Sequence, residues 1–252
     1  MRVTNQMMST TYLKDLNKNL NNLNTLNKQL TTGKEISKPS DNPFKTARIM
    51  QMYSDISANK QYNENIKDTI NWLDTTDVAL EQIGNSAQRI RELMVSAGNA
   101  SYGSDEKNAL KEEINEKINE IAQVLNTNYD GKYIFGGTKS LSKPVGVEKD
   151  SNGNNILVFK DDNGNSFNEE GKAYIKNADG TITRDANGNL AVEANPKPEY
   201  EKLLNQMNAN LSVEVSNGVN MNYNVGTPSI LTLKNGTNVM KLLNDVVNNL
   251  DK

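Results

Sequence analysis

The chain has no cysteine and no histidine, and only one tryptophan, four phenylalanines and six prolines in 252 residues. Without cysteine there is no disulfide and no thiol nucleophile. Without histidine there is no Ser-His-Asp relay, and almost every kind of zinc site loses its usual ligands. Absence of cysteine also suits a chain that is moved unfolded between redox environments. Long apolar runs are missing, so no segment reads as membrane-spanning and no membrane insertion is expected. The N-terminus, Met1-Arg-Val-Thr-Asn-Gln-Met-Met8, lacks a signal-peptide core. The protein is therefore expected to be intracellular, or exported by a route that needs no cleaved signal. Hydrophobic residues make up 35% and the mean hydropathy is −0.71, which suits thin bundles better than one thick core.

The net charge is −3, but its distribution is uneven. Residues 1–40 hold six basic side chains against two acidic ones, a net +4, which leaves −7 for the remainder. A basic arm can serve nucleic acid or membrane. Here the basic residues are spread out and no aromatics interleave them, so a solvated helix face is the better reading and no nucleic-acid partner is expected.

What is present is helical periodicity. Leu13, Leu16, Leu20, Leu23 and Leu30 repeat at the three-and-four spacing of a coiled-coil seam, and Asn27 falls in the same row. A polar Asn in such a row costs stability but fixes register. The helix should span about 7–30. Gly33 is free to take a left-handed cap, and Pro39 forbids continuity. A second helix should start at Ser40-Asp41-Asn42-Pro43, with Ser40, Asp41 or Asn42 as cap and Pro43 in the first turn. It should continue to about Ala97, along Ile49-Met52-Ile56, then Ile66-Ile70-Leu73, then Leu80-Ile83-Ala87-Ile90-Met94-Ala97. A phase slip is expected around Thr75-Thr76-Asp77. Trp72 beside the seam reads as packing. After a turn at 98–104 a third helix, capped by Ser104, carries Leu110-Ile114-Ile118-Ile121-Leu125, making an antiparallel hairpin.

From Asn128 to about Leu233 the pattern changes to strands and turns. Asp-x-Asn-Gly-Asn occurs from Asp150, Asp161 and Asp185. The clearest hairpin runs from Leu211 to Val225 around Asn217-Gly218. A short helix is expected over 199–208 and a last one over 239–250. Together these patterns predict an α+β fold: an elongated antiparallel helical bundle with long helices and an inserted, mainly antiparallel β domain. The expected divisions are 1–40 (terminal coiled-coil segment and linker), 41–138 plus 234–252 (helical bundle) and 139–233 (β domain).

Chemistry is sparse. The Asp-x-Asn-Gly-Asn runs lack the sixth-position glycine of an EF-hand loop, so a hairpin turn is the better reading than calcium. Gly136-Gly137 is not followed by Gly-Lys-Ser/Thr and so is not a phosphate loop. Pairs such as Glu112-Glu113 sit on a charged helix face. No nucleophile, base and oxyanion donor assemble, so neither an enzyme nor a cofactor site is expected. The surplus lies in apolar helix surface. Burial of five leucines is worth on the order of 10 kcal/mol at most, and no equally long free helix remains to cover them. That pattern calls for a helical partner.

Three segments carry a family resemblance: Met1-Arg-Val-Thr-Asn-Gln-Met-Met8, Leu30-Thr-Thr-Gly-Lys-Glu-Ile-Ser-Lys-Pro-Ser-Asp-Asn-Pro43 and Tyr133-Ile-Phe-Gly-Gly-Thr138. Together they resemble the flagellin superfamily. Thr-Gly-Lys…Pro-Ser-Asp-Asn-Pro and Phe-Gly-Gly-Thr are more similar to its hook-associated branch than to flagellin, whose equivalent usually reads Ser-Gly…Ala-x-Asp-Asp-Ala-Ala-Gly. The resemblance implies terminal segments that form coiled coils only in the assembled tube. It also implies that Gly33, Lys34, Pro39, Ser40, Asp41, Asn42 and Pro43 match the family's linker. Its implied partners are further copies in a ring, another hook-associated protein, flagellin and an export chaperone. Its implied location is extracellular, at the hook–filament junction, reached by flagellar type III export. The family ends in a long amphipathic helical segment, and a chain stopping at Lys252 is expected to lack that partner of the first helix. Two other readings stay open: flagellin itself, and a surface-binding module whose β domain takes a glycan or other host ligand.

Overall fold

The computed structural model describes residues 5–36, 38–98, 103–185, 188–233 and 235–250. Met1–Thr4 of the N-terminal motif, Ser37 of the linker, most of the 98–104 turn, part of the third Asp-x-Asn-Gly-Asn run, and Asp251-Lys252 lie outside them. The chain divides into two compact units, Met1–Gln61 and Tyr62–Lys252. The class is α+β, with long helices and small antiparallel sheets.

The first unit contains α1 (Asn5–Thr32) and the start of α2 (Pro43–Ala97). Threonine is a middling helix former, and α1 accommodates it by returning hydroxyls to carbonyls four residues back, as at Thr10, Thr25 and Thr31. Gly33 ends the helix at φ 64°, and its N–H donates to the Gln29 carbonyl at 2.8 Å. That is the expected left-handed cap. Lys38-Pro39-Ser40-Asp41 then forms a turn closed from both ends. The Asp41 N–H donates to the Lys38 carbonyl at 3.0 Å, and the Lys38 N–H donates to Asp41 Oδ2 at 3.1 Å. Of the three cap candidates, Asn42 takes the role: its Oδ1 accepts the Lys45 N–H at 3.0 Å, with Pro43 in the first helical position.

In the second unit α2 is followed by α3 (Ser104–Leu125). Arg89 pairs with Glu113 at 2.7 Å, and Ser86 bonds to Glu120. Falling numbers on α2 meet rising numbers on α3, so the two helices are antiparallel. The buried row of α2 differs from the expected one. It runs Thr69, Trp72, Thr76, Ala79, Ser86, Ile90 and Leu93, with Ile83 partly buried. This is an unbroken heptad row with no phase slip. Ile66, Ile70, Leu73, Leu80 and Met94 stay exposed. The reason is that small hydroxyl residues can be buried when they satisfy themselves within the helix. Thr69 and Thr76 donate to the carbonyls of Asn65 and Trp72 at 2.7 and 2.8 Å. A second correction concerns α3. Its N-cap is Gly103, with no side-chain cap, and Ser104 is already helical; Asp105 and Glu106 occupy the first turn as expected.

The β elements come in three small sheets. β1 (Asn128–Tyr129) and β2 (Lys132–Tyr133) pair around Asp130-Gly131, both at positive φ, the mirror-image turn that two-residue hairpins favour. β3 (Val145–Lys149), β4 (Asn155–Lys160) and β5 (Ser166–Phe167) form an antiparallel sheet in that order. β4 is buried on both faces. Leu157 and Phe159 join the main core with α3 and α6 (Val239–Leu250), whereas Ile156 and Val158 join a smaller cluster with Tyr174 and Ile182. Alternation along one strand thus serves two cores. Asn115, buried on α3, aligns its start by accepting the Asn155 N–H at 3.1 Å.

α4 (Pro198–Met207) is one residue earlier than expected. β6 (Ser212–Ser216) and β7 (Val219–Asn222) form the expected hairpin around Asn217-Gly218, with a bulge between Glu214 and Ser216. α5 (Thr227–Leu231) was not anticipated, being a single short turn with Pro near its start. α6 is capped by Asn238, whose Oδ1 accepts the Met240 N–H at 2.7 Å.

The glycine-closed turns in 150–189 outnumber the three the motif suggested. Gly153, Gly164, Gly171, Gly180 and Gly188 all have positive φ, and each donates its N–H to the carbonyl three residues back. Asp150, Asp161 and Asp185 head three of them; Asn168 and Asn177 head the other two. At Asp150, Asp161 and Asn168 one side-chain oxygen accepts two backbone N–H groups of the same turn. The carboxylates therefore serve the loop itself, which is what an Asx turn requires.

Candidate assembly surface

α1 places Leu13, Leu16, Leu20, Leu23, Asn27 and Leu30 in a single row on one continuous helix. None of the described residues of α1 is buried, and the leucines of the row range from 43% exposed at Leu16 to 83% at Leu30. Tyr12 and Leu26 extend the apolar surface. A row of this length left in water is a large exposed apolar patch.

The linker after it is a defined turn. Gln29 reaches forward to donate to the Glu35 carbonyl at 3.1 Å, and Lys45 pairs with Glu35 at 3.1 Å. Lys34 lies over the Tyr53 ring at 5.8 Å. Both charged groups of the Lys45–Glu35 pair are well exposed, so the pair contributes roughly 0–1 kcal/mol and works chiefly as a positioning contact. Pro39, Ser40 and Asp41 make the turn and Asn42-Pro43 starts the next helix, so each motif residue has a local structural task.

The second motif, Tyr133–Thr138, has a packing reason. The Thr227 N–H and hydroxyl both donate to the Phe135 carbonyl, at 2.9 and 2.8 Å. The Thr138 N–H and hydroxyl both donate to the Gln206 carbonyl, at 2.9 and 3.0 Å. A Cβ on Gly137 would lie 2.4 Å from the Gln206 carbonyl oxygen, and one on Gly226 would lie 2.2 Å from that of Met207. Backbones approach this closely only over glycine. The motif therefore clamps the end of α4 and the start of α5 beside β2.

Charge is also organised in the sheet region. Burial opposes ionisation of Glu148, but Lys160, Lys176 and Ser166 together hold its carboxyl below the usual carboxylate range. Burial pulls the Lys139 ammonium below its ordinary value, only partly offset by Asp162. The Arg184 guanidinium pairs with fully buried Asp150 at 2.6 Å. Among the described residues no group of three or more carboxylates is placed to hold a metal ion, and no described helix is long and apolar enough to cross a membrane.

Sequence reasoning placed one apolar row in the wrong setting. Ile66, Ile70, Leu73, Leu80 and Met94 were expected in the bundle seam and instead lie exposed along α2. An unbroken heptad count that admits Thr and Ser as core residues would have found this.

The helices define a class: a leucine-striped helix, a capped linker and a long antiparallel helical hairpin carrying a β insertion. The profile of the bacterial flagellin N-terminal helical region matches residues 3–140, more than half the chain, and the chain belongs to that family. It is 29% identical over 145 residues to a flagellin of Salmonella paratyphi A, a match spanning 57% of this chain and 29% of that relative. It is 29% identical over 134 residues to a phase 1 flagellin of Salmonella naestved, spanning 53% of this chain and 26% of that relative. The chain thus matches less than a third of the length of either relative. In fold it is similar to a solved structure from Vibrio parahaemolyticus, provisionally described as a flagellar hook-associated protein. The TM-score is 0.56 at 18% identity, covering 85% of this chain and 74% of that one.

Proposed function

We propose that this chain is a structural subunit of the bacterial flagellum, of the hook-associated protein 3 kind, joining the hook-associated proteins to the flagellin filament. The observation that carries the reading is an unburied leucine row followed directly by a linker of the junction type, Gly33-Lys34…Pro39-Ser40-Asp41-Asn42-Pro43. Membership of the flagellin family and the fold likeness to a hook-associated protein support it. In this reading α1 is the inner-tube segment, ordered by helices of the assembly. The exposed row of α2 contributes to contacts between copies in a ring, and the β domain faces outward, where solvent tolerates its asparagine-rich turns. Another hook-associated protein and flagellin are the neighbours along the axis. The chain leaves the cell by flagellar type III export, held beforehand by a cytoplasmic chaperone, and acts outside the cell without catalysing a reaction.

Flagellin itself is the second reading, favoured by the names of the curated relatives. A deletion strain that retains a separate flagellin gene separates the two. The junction reading expects filament monomers in the medium and no attached filaments. Normal filaments on the deletion strain would refute it, and attached filaments that are shortened but built from the remaining flagellin would favour flagellin.

A further inference from the structure

Asn-Gly occurs five times in the sequence. The pair is chemically labile, because the glycine nitrogen can attack the preceding side-chain carboxamide and no Cβ hinders its approach. In four of the pairs the glycine N–H donates to the main-chain carbonyl three residues back. Gly153 donates to Asp150 at 3.1 Å, Gly164 to Asp161 at 3.2 Å, Gly188 to Asp185 at 3.0 Å and Gly236 to Leu233 at 2.8 Å. Gly218 differs: its N–H donates to Glu214 Oε1 at 3.1 Å. A peptide carbonyl is only an acceptor, whereas a carboxylate is also a base that can take a proton. Glu214, Asn217 and Gly218 are all exposed on the β6–β7 hairpin, so water reaches them.

We propose that Asn217 is the preferred site of spontaneous deamidation in this protein, with Glu214 taking the Gly218 amide proton. The Gly218 nitrogen attacks Asn217 Cγ, and the new N–C bond closes a succinimide ring. The Cγ–Nδ2 bond breaks, and ammonia leaves with the proton that Glu214 received. Water then opens the ring at either carbonyl, leaving an aspartyl or an isoaspartyl residue. One water is consumed and one ammonia released, with no oxidant or reductant. The product matters because of where the hairpin sits. Asn65 of α2 donates to the Glu214 carbonyl at 3.0 Å, and the Tyr62 hydroxyl donates to Glu214 Oε1 at 3.4 Å. Both products place a second negative charge near Glu214. The isoaspartyl form also adds a methylene to the main chain of a two-residue turn, and turn length sets strand register. The modification therefore loosens this hairpin from α2 as the protein ages. The proposal does not rest on the junction reading.

The full chain is held at neutral pH in water enriched in heavy oxygen, then digested in ordinary water. Mass spectrometry follows the five Asn-Gly peptides, and the oxygen label marks conversion during the incubation. Asn217 should convert roughly threefold or more faster than the other four sites. In concentrated urea the five rates should converge, because the hairpin that brings Glu214 to Gly218 is lost. Glu214→Gln keeps an acceptor oxygen for the Gly218 N–H but cannot take its proton. With folding confirmed by circular dichroism, it should slow conversion at Asn217 by roughly threefold or more and leave the other sites unchanged. Conversion at Asn217 no faster than elsewhere in the native protein would overturn the site. A preference that persists in urea would mean that flanking sequence sets it, and would overturn the structural argument. An unchanged rate in folded Glu214→Gln would overturn the role of Glu214.

Discussion

Single residues in this chain act mainly by permitting close backbone approach or by closing turns. At Gly137 both reasons apply, a φ of 58° and a Cβ position 2.4 Å from the Gln206 carbonyl oxygen. Gly137→Ala should therefore cost about 3 kcal/mol. Gly180→Ala, at φ 86° with nothing within 4 Å of its Cβ, should cost only about 1–2 kcal/mol. Urea unfolding of the two variants measures the difference, and equal losses would show that the clamp on α4 is unimportant. Glu148 makes a pH prediction. Its folded pKa lies below the ordinary 4.5, so its contribution to stability is complete above that value and is lost as pH falls through the depressed one. Stability measured between about pH 3 and pH 6 should fall with acid, and less steeply in Glu148→Gln. The Asp-Asn-Gly pattern made three of the five glycine-closed turns legible in sequence. Asn168 heads the same turn over Glu169-Glu170-Gly171, with neither an Asn-Gly nor an Asp-Gly pair, so only the structure reveals it, whereas Asp179-Gly180 marks the turn headed by Asn177 in the sequence. The role of the Phe-Gly-Gly-Thr motif was equally invisible, because its partners at Gln206 and Thr227 lie some 70–90 residues away in the chain.

At the scale of elements, helix boundaries were readable because local chemistry sets them: Gly33 stops α1, Asn42-Pro43 starts α2, and Asn217-Gly218 closes the β6–β7 hairpin. The seam of α2 was not, because apolar character alone was allowed to define it. Thr69 and Thr76 hold core positions by returning their hydroxyls to the helix backbone and Ser86 by bonding to Glu120, which moves the buried row one residue away from Ile70, Leu73 and Leu80. The two assignments share Ile90 and make opposite mutational predictions at Leu73. Ile90→Ala should cost about 2–5 kcal/mol. Leu73→Ala should change the stability of the monomer by less than about 1 kcal/mol. A large loss at Leu73, measured by chemical denaturation, would restore the apolar seam. α1 has its own expectation. Isolated helices are marginal even at this length when no apolar face is buried. Hydrogen exchange in a dilute monomer should find amides 13–30 poorly protected, and strong protection there would mean that α1 is already partnered in the monomer.

At the scale of the whole molecule, stability and assembly are assigned to different surfaces. The second unit carries the main core, from Trp72 through the α3 isoleucines to Val247. The leucine row of α1 contributes none of that burial and, in the proposed reading, is left for other helices. The α+β class and the order of helices, β insertion and returning helix were legible from periodicity; the family was legible from three short motifs. The contacts that the proposed assembly would make along α1 and α2 were not, because one chain records its own contacts alone. The claim that the α1 row is the assembly face is tested most directly by Leu16→Glu/Leu23→Glu. The deletion strain is complemented with this variant and attached filaments are counted by electron microscopy, beside thermal unfolding of the purified monomer. The account predicts an unchanged unfolding temperature and loss of attached filaments. Filaments attached in normal number, with the exported variant present in them, would contradict it.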